Sequence, residues 1–266
     1  MKSTNCITLV LIFLVGCNSE GSYSEGSYSE SEANPTLIEI IIAPTIVSLL
    51  EGRTQQLVAI ARYDNGSEKD VSNSVAWSVV GDPTVADISA SGLLTGNTKG
   101  YIELSATKEG IINTVKTTIY DSLAGEFIDI FDVGDGKLFT NSPSIAYLDS
   151  IGGSVTSSTH SESPPMGPAG NFYRFTWNNA NELCVTYNSK NIGGRTNWRL
   201  ADKDELKTEL FDISGNMFPS RGWATGYVYW SKTPNGMQHD ALGLRDGTTS
   251  TFPDGTTVYA TCVSEP

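Results

Sequence analysis

His239 and Asp240 stand side by side, and a histidine beside a carboxylate is half of a general base or of a metal site. The other half is missing. The second histidine, His160, falls in a Ser/Pro-rich stretch, and no Gly-x-Ser-x-Gly elbow, His-Glu-x-x-His helix, phosphate loop or dinucleotide fingerprint accompanies either one. Zinc would need more soft ligands at closer spacing than Cys184, Cys262 and the two histidines supply. Asp64, Glu68 and Asp70 lack the alternate-residue pattern of a dedicated calcium loop, so turn chemistry accounts for them. Paired carboxylates for glycoside hydrolysis are the one enzymatic arrangement that composition leaves open. The expectation is a binding protein, not an enzyme, with no cofactor and no metal.

A second set of residues has the chemistry of recognition. Sugars stack their apolar faces on Trp or Tyr while amides, carboxylates and guanidinium groups bond their hydroxyls. In and beside the stretches from Pro219 to Gly226 and from Lys232 to Asp246, the chain offers Arg221, Trp223, Tyr227, Asn235, His239, Asp240 and Arg245. These seven are the candidate ligand-binding residues, and an extracellular glycan or a host or cell-surface protein is the expected partner. Nucleic acid is not: 17 Lys+Arg against 30 Asp+Glu give a net charge of -13, which repels a phosphate backbone or an anionic lipid surface.

The elements that must position these groups begin with an address. The apolar run from Ile7 to Val15 is far shorter than the roughly 20 residues of a membrane span, so it reads as the core of a signal peptide over 1–16. Leu14-Val15-Gly16-Cys17 resembles the lipobox of bacterial lipoproteins. The resemblance implies cleavage before Cys17 and acylation of its thiol and amine, so that two or three chains hold the protein on a membrane. By analogy with that family, Asn18, where an aspartate would mark inner-membrane retention, implies the outer membrane, and a surface-exposed location is the expectation, with a periplasmic orientation left open. Cys6 leaves with the signal, so Cys184 and Cys262 remain as one pair in an oxidising setting, where a disulfide is the default. Closing a loop of about 79 residues would stabilise the fold by about 4.5 kcal/mol in the chain-entropy model.

Residues 17–36 follow as a flexible tether, with GSYSE repeated from Gly21 and from Gly26 and no aliphatic residue from Ser19 to Glu32. A random coil of this length spans roughly 20 to 25 Å. From 37 to 120 the pattern becomes short strands: "QQLVAIARY" puts Leu57, Ala59, Ala61 and Tyr63 on one face, "SVAWSVV" does the same with Val75, Trp77 and Val79, and turns separate about seven such runs. That is the pattern of an all-β sandwich. The succession of a Gly-Arg-Thr-x-Gln-Leu run, "YDNGSEKDVS", "VAWSV", "VADISASGLLTG" and "KGYIELSAT" resembles bacterial Ig-like group 2 domains. In invasin- and intimin-type adhesins such modules are rigid spacers that carry a terminal binding domain.

The remainder, 126–266, reads as α+β. "FTWNNANELCVTYN" spaces Trp177, Ala180, Leu183 or Cys184 and Tyr187 as a helix ending near Asn188. "DKDELKTELF" is a second helix, with Asp202 as N-cap, Glu205 in capping-box position and Leu206 with Leu210 on one face. "GWATGYVYWSKT", "DALGLRDG" and "TVYATCVS" read as strands of an antiparallel sheet. "NWRLADKDEL", "GWATGYVYWSKT" and "YATCVSEP", with "LFTNSPSIAYLDSIGG" and "GPAGNFYRFTWNNANELC" upstream, resemble the C-terminal adhesion domain of Ig-like-repeat surface proteins, a C-type-lectin-like fold. Ala201 stands where the wider signature has proline.

The resemblance implies a strut reading of "GGRTNWRLADKDELKTELF", residues 193 to 211. Trp198 and Leu200 pack in the core, Arg199 orients a loop or pairs with an acid, and the second helix follows. Formylglycine-generating oxidases share related signatures but use a reactive cysteine pair, whereas Cys184 and Cys262 fall on structural disulfide positions. The chain lacks the Glu-Pro-Asn or Gln-Pro-Asp loop and the Trp-Asn-Asp strand of calcium-dependent lectins, so recognition without calcium is expected. The function implied is a surface-anchored lipoprotein adhesin with the Ig-like domain as spacer. The alternative is an envelope assembly lipoprotein that binds another protein.

Overall fold

The computed structural model describes residues 34–266, so the expected signal peptide, the expected lipidation site Cys17 and nearly all of the expected tether lie outside the described residues. Within them, ten strands fill Leu37 to Tyr120 where the sequence suggests about seven. Part of the surplus comes from Pro44. The chain pairs antiparallel to Val58–Tyr63 through Leu37–Ala43, breaks at the proline, and resumes as Val47–Leu50, which runs parallel to the end of Ile111–Tyr120. A residue without a backbone N–H ends one ladder and lets the next few residues join the opposite sheet.

The two principal sheets are Leu37–Ala43, Val58–Tyr63 and Glu68–Asp70 on one side, and Val47–Leu50, Ile111–Tyr120, Gly100–Lys108 and Ala76–Val80 on the other. A smaller sheet of Thr54–Gln56, Leu93–Gly96 and Ala86–Ile88 closes one end. Alternate residues point inward, so Ile40 and Ile42 meet Leu57, Ala59, Ala61, Leu104 and Ile119 in one core. Trp77 packs against this core and donates its indole N–H to Ser72 O at 2.8 Å. Gly92 has φ +83°, and a Cβ there would lie 2.8 Å from Leu57 O and 3.0 Å from the Trp77 ring, so the glycine of "SGLLTG" is required on both counts.

The C-terminal module is α+β, but its order departs from two helices followed by a sheet. Strands come first: Ile130–Asp132 and Leu138–Thr140 join Arg199–Leu200 and the last strand, Cys262–Ser264, in one four-stranded sheet. The hairpin Ser158–Glu162 with Gly170–Arg174 then precedes helix Trp177–Ser189, which Thr176 caps by accepting from Asn179 N. A meander of Tyr229–Asn235, Gln238–Leu242 and Thr249–Phe252 follows. Residues 222–228, expected in a strand, are irregular. Their backbone serves side chains instead: Tyr229 donates its hydroxyl to Ala224 O at 2.6 Å, and Gly226 N–H goes to Glu162 at 2.9 Å. A disulfide joins Cys184, on the long helix, to Cys262, on the last strand.

The stretch from Gly193 to Phe211 is the strut of this module. Trp198 is 3% exposed and bonds Ile192 O through its indole N–H at 2.9 Å, while Leu200 pairs with Cys262. Asp202 accepts from Glu205 N at 2.9 Å as Glu205 accepts from Asp202 N at 2.8 Å, a reciprocal capping box. The helix it opens widens into a π-helical segment, Glu205–Phe211, and buries Leu206 and Leu210. Glu205 is also a charge hub: Arg199 grips it through two N–H groups at 2.8 and 2.6 Å, and Lys137 approaches to 2.9 Å. Burial favours the neutral acid, but the hydrogen bonds from Arg199, the Asp202 backbone and Lys137 outweigh it and lower the carboxyl from an ordinary 4.5 to about 2.

The sandwich and the module are joined by more than the chain. Thr45 donates both its N–H and its hydroxyl to Asp132 at 2.7 and 2.8 Å. Arg221 donates to Ser48 O at 2.8 Å, and its own carbonyl accepts the Tyr120 hydroxyl at 2.8 Å. Arg53 reaches across to Pro219 O at 3.0 Å. Pro35 to Pro266 accordingly form one compact unit.

Candidate functional site

The seven candidate residues separate into three groups, and only part of the set faces solvent. Arg221 closes helix Met217–Arg221, which Gly222 ends in the left-handed conformation at φ +78°. Its guanidinium makes a bidentate pair with Asp129, at 2.6 and 2.7 Å, and lies 3.9 Å over the Phe131 ring. Trp223 is fully buried and gives its indole N–H to the same carboxylate at 2.7 Å. Trp223 is closed to a ligand, and the Arg221 side chain, 14% exposed, is committed to Asp129. Both are corrected to structural residues, because an internal aspartate needs the donors they supply. Asp129 lies more than ninety positions away in sequence, so no local pattern foretells the pairing.

Asn235, His239 and Asp240 sit together on the hairpin Tyr229–Asn235 with Gln238–Leu242. Asp240 is 3% exposed and accepts from Lys203 at 2.8 Å, Asn235 at 3.0 Å and Thr251 at 2.9 Å. The hydrogen bonds from Lys203 first, then Asn235, hold it below the ordinary carboxylate range. It is the anchor beneath the hairpin and is corrected from surface ligand contact to buried acceptor. Asn235 stays exposed above it, its amide shared between Asp240 and Thr251. His239 is not coupled to its neighbour Asp240: adjacent residues of a strand point to opposite faces. Its Nδ1 meets Asp254 at 2.7 Å, and its ring stacks on Trp177 with centroids 3.8 Å apart and planes 10° from parallel.

Tyr227 and Arg245 line a small cavity of about 160 Å³ with Met166, Thr225 and Asp246. Tyr227 is half-buried, with the Arg174 guanidinium 4.3 Å over its ring and His160 edge-on at 4.8 Å. Arg245 is exposed. Beneath them Glu162, 4% exposed, accepts from the Tyr259 hydroxyl at 2.5 Å and from Gly226 N, which fixes the loop that carries Tyr227. His160, Arg174, Trp177 and Lys203 are thus members of the surface that sequence reasoning missed. Trp177 had a signal, since it opens a helix, but its periodicity assigned it to the core.

With this geometry in view, comparison with known proteins is specific. The model of the bacterial Ig-like domain (group 2) matches residues 38–118, and that of the Lcl C-terminal domain matches 154–264. The chain joins a group 2 bacterial Ig-like domain to an Lcl C-terminal domain. The Lcl C-terminal domain therefore holds all seven candidates and the disulfide, while the Ig-like domain supplies Ser48 to the Arg221 junction.

Ice-binding protein 1 of Shewanella frigidimarina is 37% identical over 86 residues, which are 32% of this chain and 10% of that protein. The chain thus spans about a tenth of the length of this curated relative. Among solved structures, the Yersinia pseudotuberculosis adhesin InvE matches 86% of this chain and 71% of its own at 14% identity and TM-score 0.39. Invasin, a bacterial integrin-binding protein, matches 86% of this chain and 39% of its own at 13% identity and TM-score 0.33. A mutant of intimin from EHEC O157:H7 matches 86% of this chain and all of its own at 15% identity and TM-score 0.29. At these values no ligand or partner is inferred from them.

Proposed function

We propose that this chain is a lipid-anchored adhesin of the outer membrane, displayed at the cell surface, whose Lcl C-terminal domain binds an extracellular glycan while the Ig-like domain holds it outward. The observation that carries the reading is the junction. Arg221, locked to the buried Asp129, also donates from its guanidinium to the Ser48 carbonyl, and its backbone carbonyl accepts from Tyr120, so both faces of the boundary are tied through one residue. A spacer can orient a terminal module only if it does not swing, and a coupled buried ion pair opposes swinging. The lipobox at Cys17 and the Ser/Gly/Glu tether support the membrane-proximal end of the same arrangement.

For the ligand, two accessible patches carry the reading, Tyr227 with Arg245 at the small cavity and Asn235 with His239 on the hairpin. They offer aromatic, amide, imidazole and guanidinium groups, the types that recognise sugar rings and hydroxyls. The test is whole-cell: bacteria expressing the chain should adhere to glycan-coated surfaces more than cells lacking it, and protease added to intact cells should remove both the module and the adhesion. A module protected from protease, co-purifying with an envelope protein, would replace adhesion by envelope assembly.

A further inference from the structure

The glycine pair that opens "GGRTNWRLADKDELKTELF" lies at the outer end of the strut, and its position points to a separate site. Asn191, Gly193 and Gly194 all take left-handed φ values, of 52°, 63° and 76°, in one tight turn. A Cβ on Gly193 would lie 3.2 Å from Ile130 Cδ1 and 3.7 Å from Ile46 Cδ1, so glycine lets the turn pack directly on residues from both sides of the junction. Arg195, just after it, fixes the turn through Glu265 O at 2.7 Å and Gly136 O at 3.0 Å. The turn forms one wall of a groove of about 570 Å³, continuous with the domain junction.

The other wall is the outer face of the Ig-like sheet. Val80, Glu103 and Lys116 lie side by side across three strands, and Tyr101 shares the face two residues from Glu103, opposite Thr118. Tyr101 is 70% exposed, with its ring 5.6 Å from that of Phe127, which braces it from the module side. An open aromatic ring beside an acid, an amine, a hydroxyl and the Asn191 amide is a set that stacks a pyranose and bonds its hydroxyls. The size and the position between domains are those of ligand sites.

We infer that this junction groove binds a neutral oligosaccharide, stacked on Tyr101 and hydrogen-bonded by Glu103, Lys116 and Asn191. Charge selects the class. Glu103 and Lys116 offset each other, so the groove is neutral within a chain of net charge -13, and an acidic sugar gains nothing there that it does not lose to the surrounding field. A peptide added as an extra strand is disfavoured, because the groove lies on a sheet face whose central backbones are already paired. This inference rests on the adhesion reading only in taking the ligand to be a glycan.

The experiment is calorimetric titration of the full chain with maltotriose, cellotriose and chitotriose, and with trigalacturonic acid as the charged comparison. At least one neutral trisaccharide should bind saturably, and Tyr101→Ala, at an exposed position that leaves the melting temperature unchanged, should weaken it about tenfold or more. Glu103→Gln with Lys116→Met should weaken it further. Binding unchanged in Tyr101→Ala but lost in Tyr227→Ala would overturn the groove and leave the adhesion reading intact. Binding of the acidic probe alone, or of no probe, also overturns it; in the last case, adhesion of whole cells to other surfaces decides separately whether the adhesion reading stands.

Discussion

Arg221 shows how a residue's role is set by what surrounds it. Its type and its loop-like neighbourhood suggest a ligand contact, yet its guanidinium is committed to an aspartate with no exposed side-chain surface. Removing it would leave Asp129 buried with only the Trp223 indole as donor, so Arg221→Ala should cost about 3 to 5 kcal/mol in denaturant unfolding. A loss under 1 kcal/mol would mean that the pair is solvated and that the junction is not locked by it. Trp198→Ala should cost a similar amount, about 3 to 5 kcal/mol, as a core aromatic truncation. An unchanged melt would place that ring at the surface.

Glu205 makes a pH prediction at the same scale. Its carboxyl is lowered to about 2 from an ordinary 4.5, so the folded state favours the ionised form. That stability is fully present above about pH 4.5 and is lost as pH falls toward 2; two and a half pH units correspond to about 3 kcal/mol. Melting temperature measured from pH 6 down to pH 2 should fall, and Glu205→Gln should flatten that fall. Equal slopes for the two proteins would show that Arg199 and Lys137 do not hold the charge.

At the scale of elements, the legible parts were those written in local periodicity and capping. Trp177–Ser189 follows from apolar spacing, and the second helix from an aspartate with a glutamate three residues on. Asp202→Ala should therefore cost about 1 kcal/mol, read from the urea midpoint. No loss would show that the Glu205 ion pairs, not the cap, start the helix. What was not legible needed distant partners. The stretch 222–228 is not a strand because its amides and carbonyls bond Glu162, Met166 and Tyr229. Trp223 looked like a loop aromatic until Asp129 was beneath it. Conversely, Tyr101 sits in an alternating strand, and its pattern alone does not say that the outward face meets a second domain.

The disulfide spans these scales. It ties the long helix to a three-residue strand whose two neighbours come from distant parts of the chain. Local pattern placed Cys184 on a helix and Cys262 on the last strand, but not the neighbours of that strand, which are Leu138–Thr140 and Arg199–Leu200.

For the whole molecule, the account is a display arrangement: anchor, tether, spacer, locked junction, terminal module. Its first requirement is the anchor, and Cys17→Ser should move the protein from the membrane to the soluble fraction. No acyl label on the wild-type chain, with an unchanged membrane fraction for the variant, would remove the lipobox from the account. The second requirement is a ligand at the far end, and it is the central claim. Binding of the full chain to a glycan array, with and without chelator, tests it most directly. Saturable binding to a small set of glycans is expected, unchanged by chelator and weakened by degrees in Tyr227→Ala, His239→Ala and Arg245→Ala. Absence of binding to any glycan by folded protein, while an envelope protein is captured from the same cells, would contradict it.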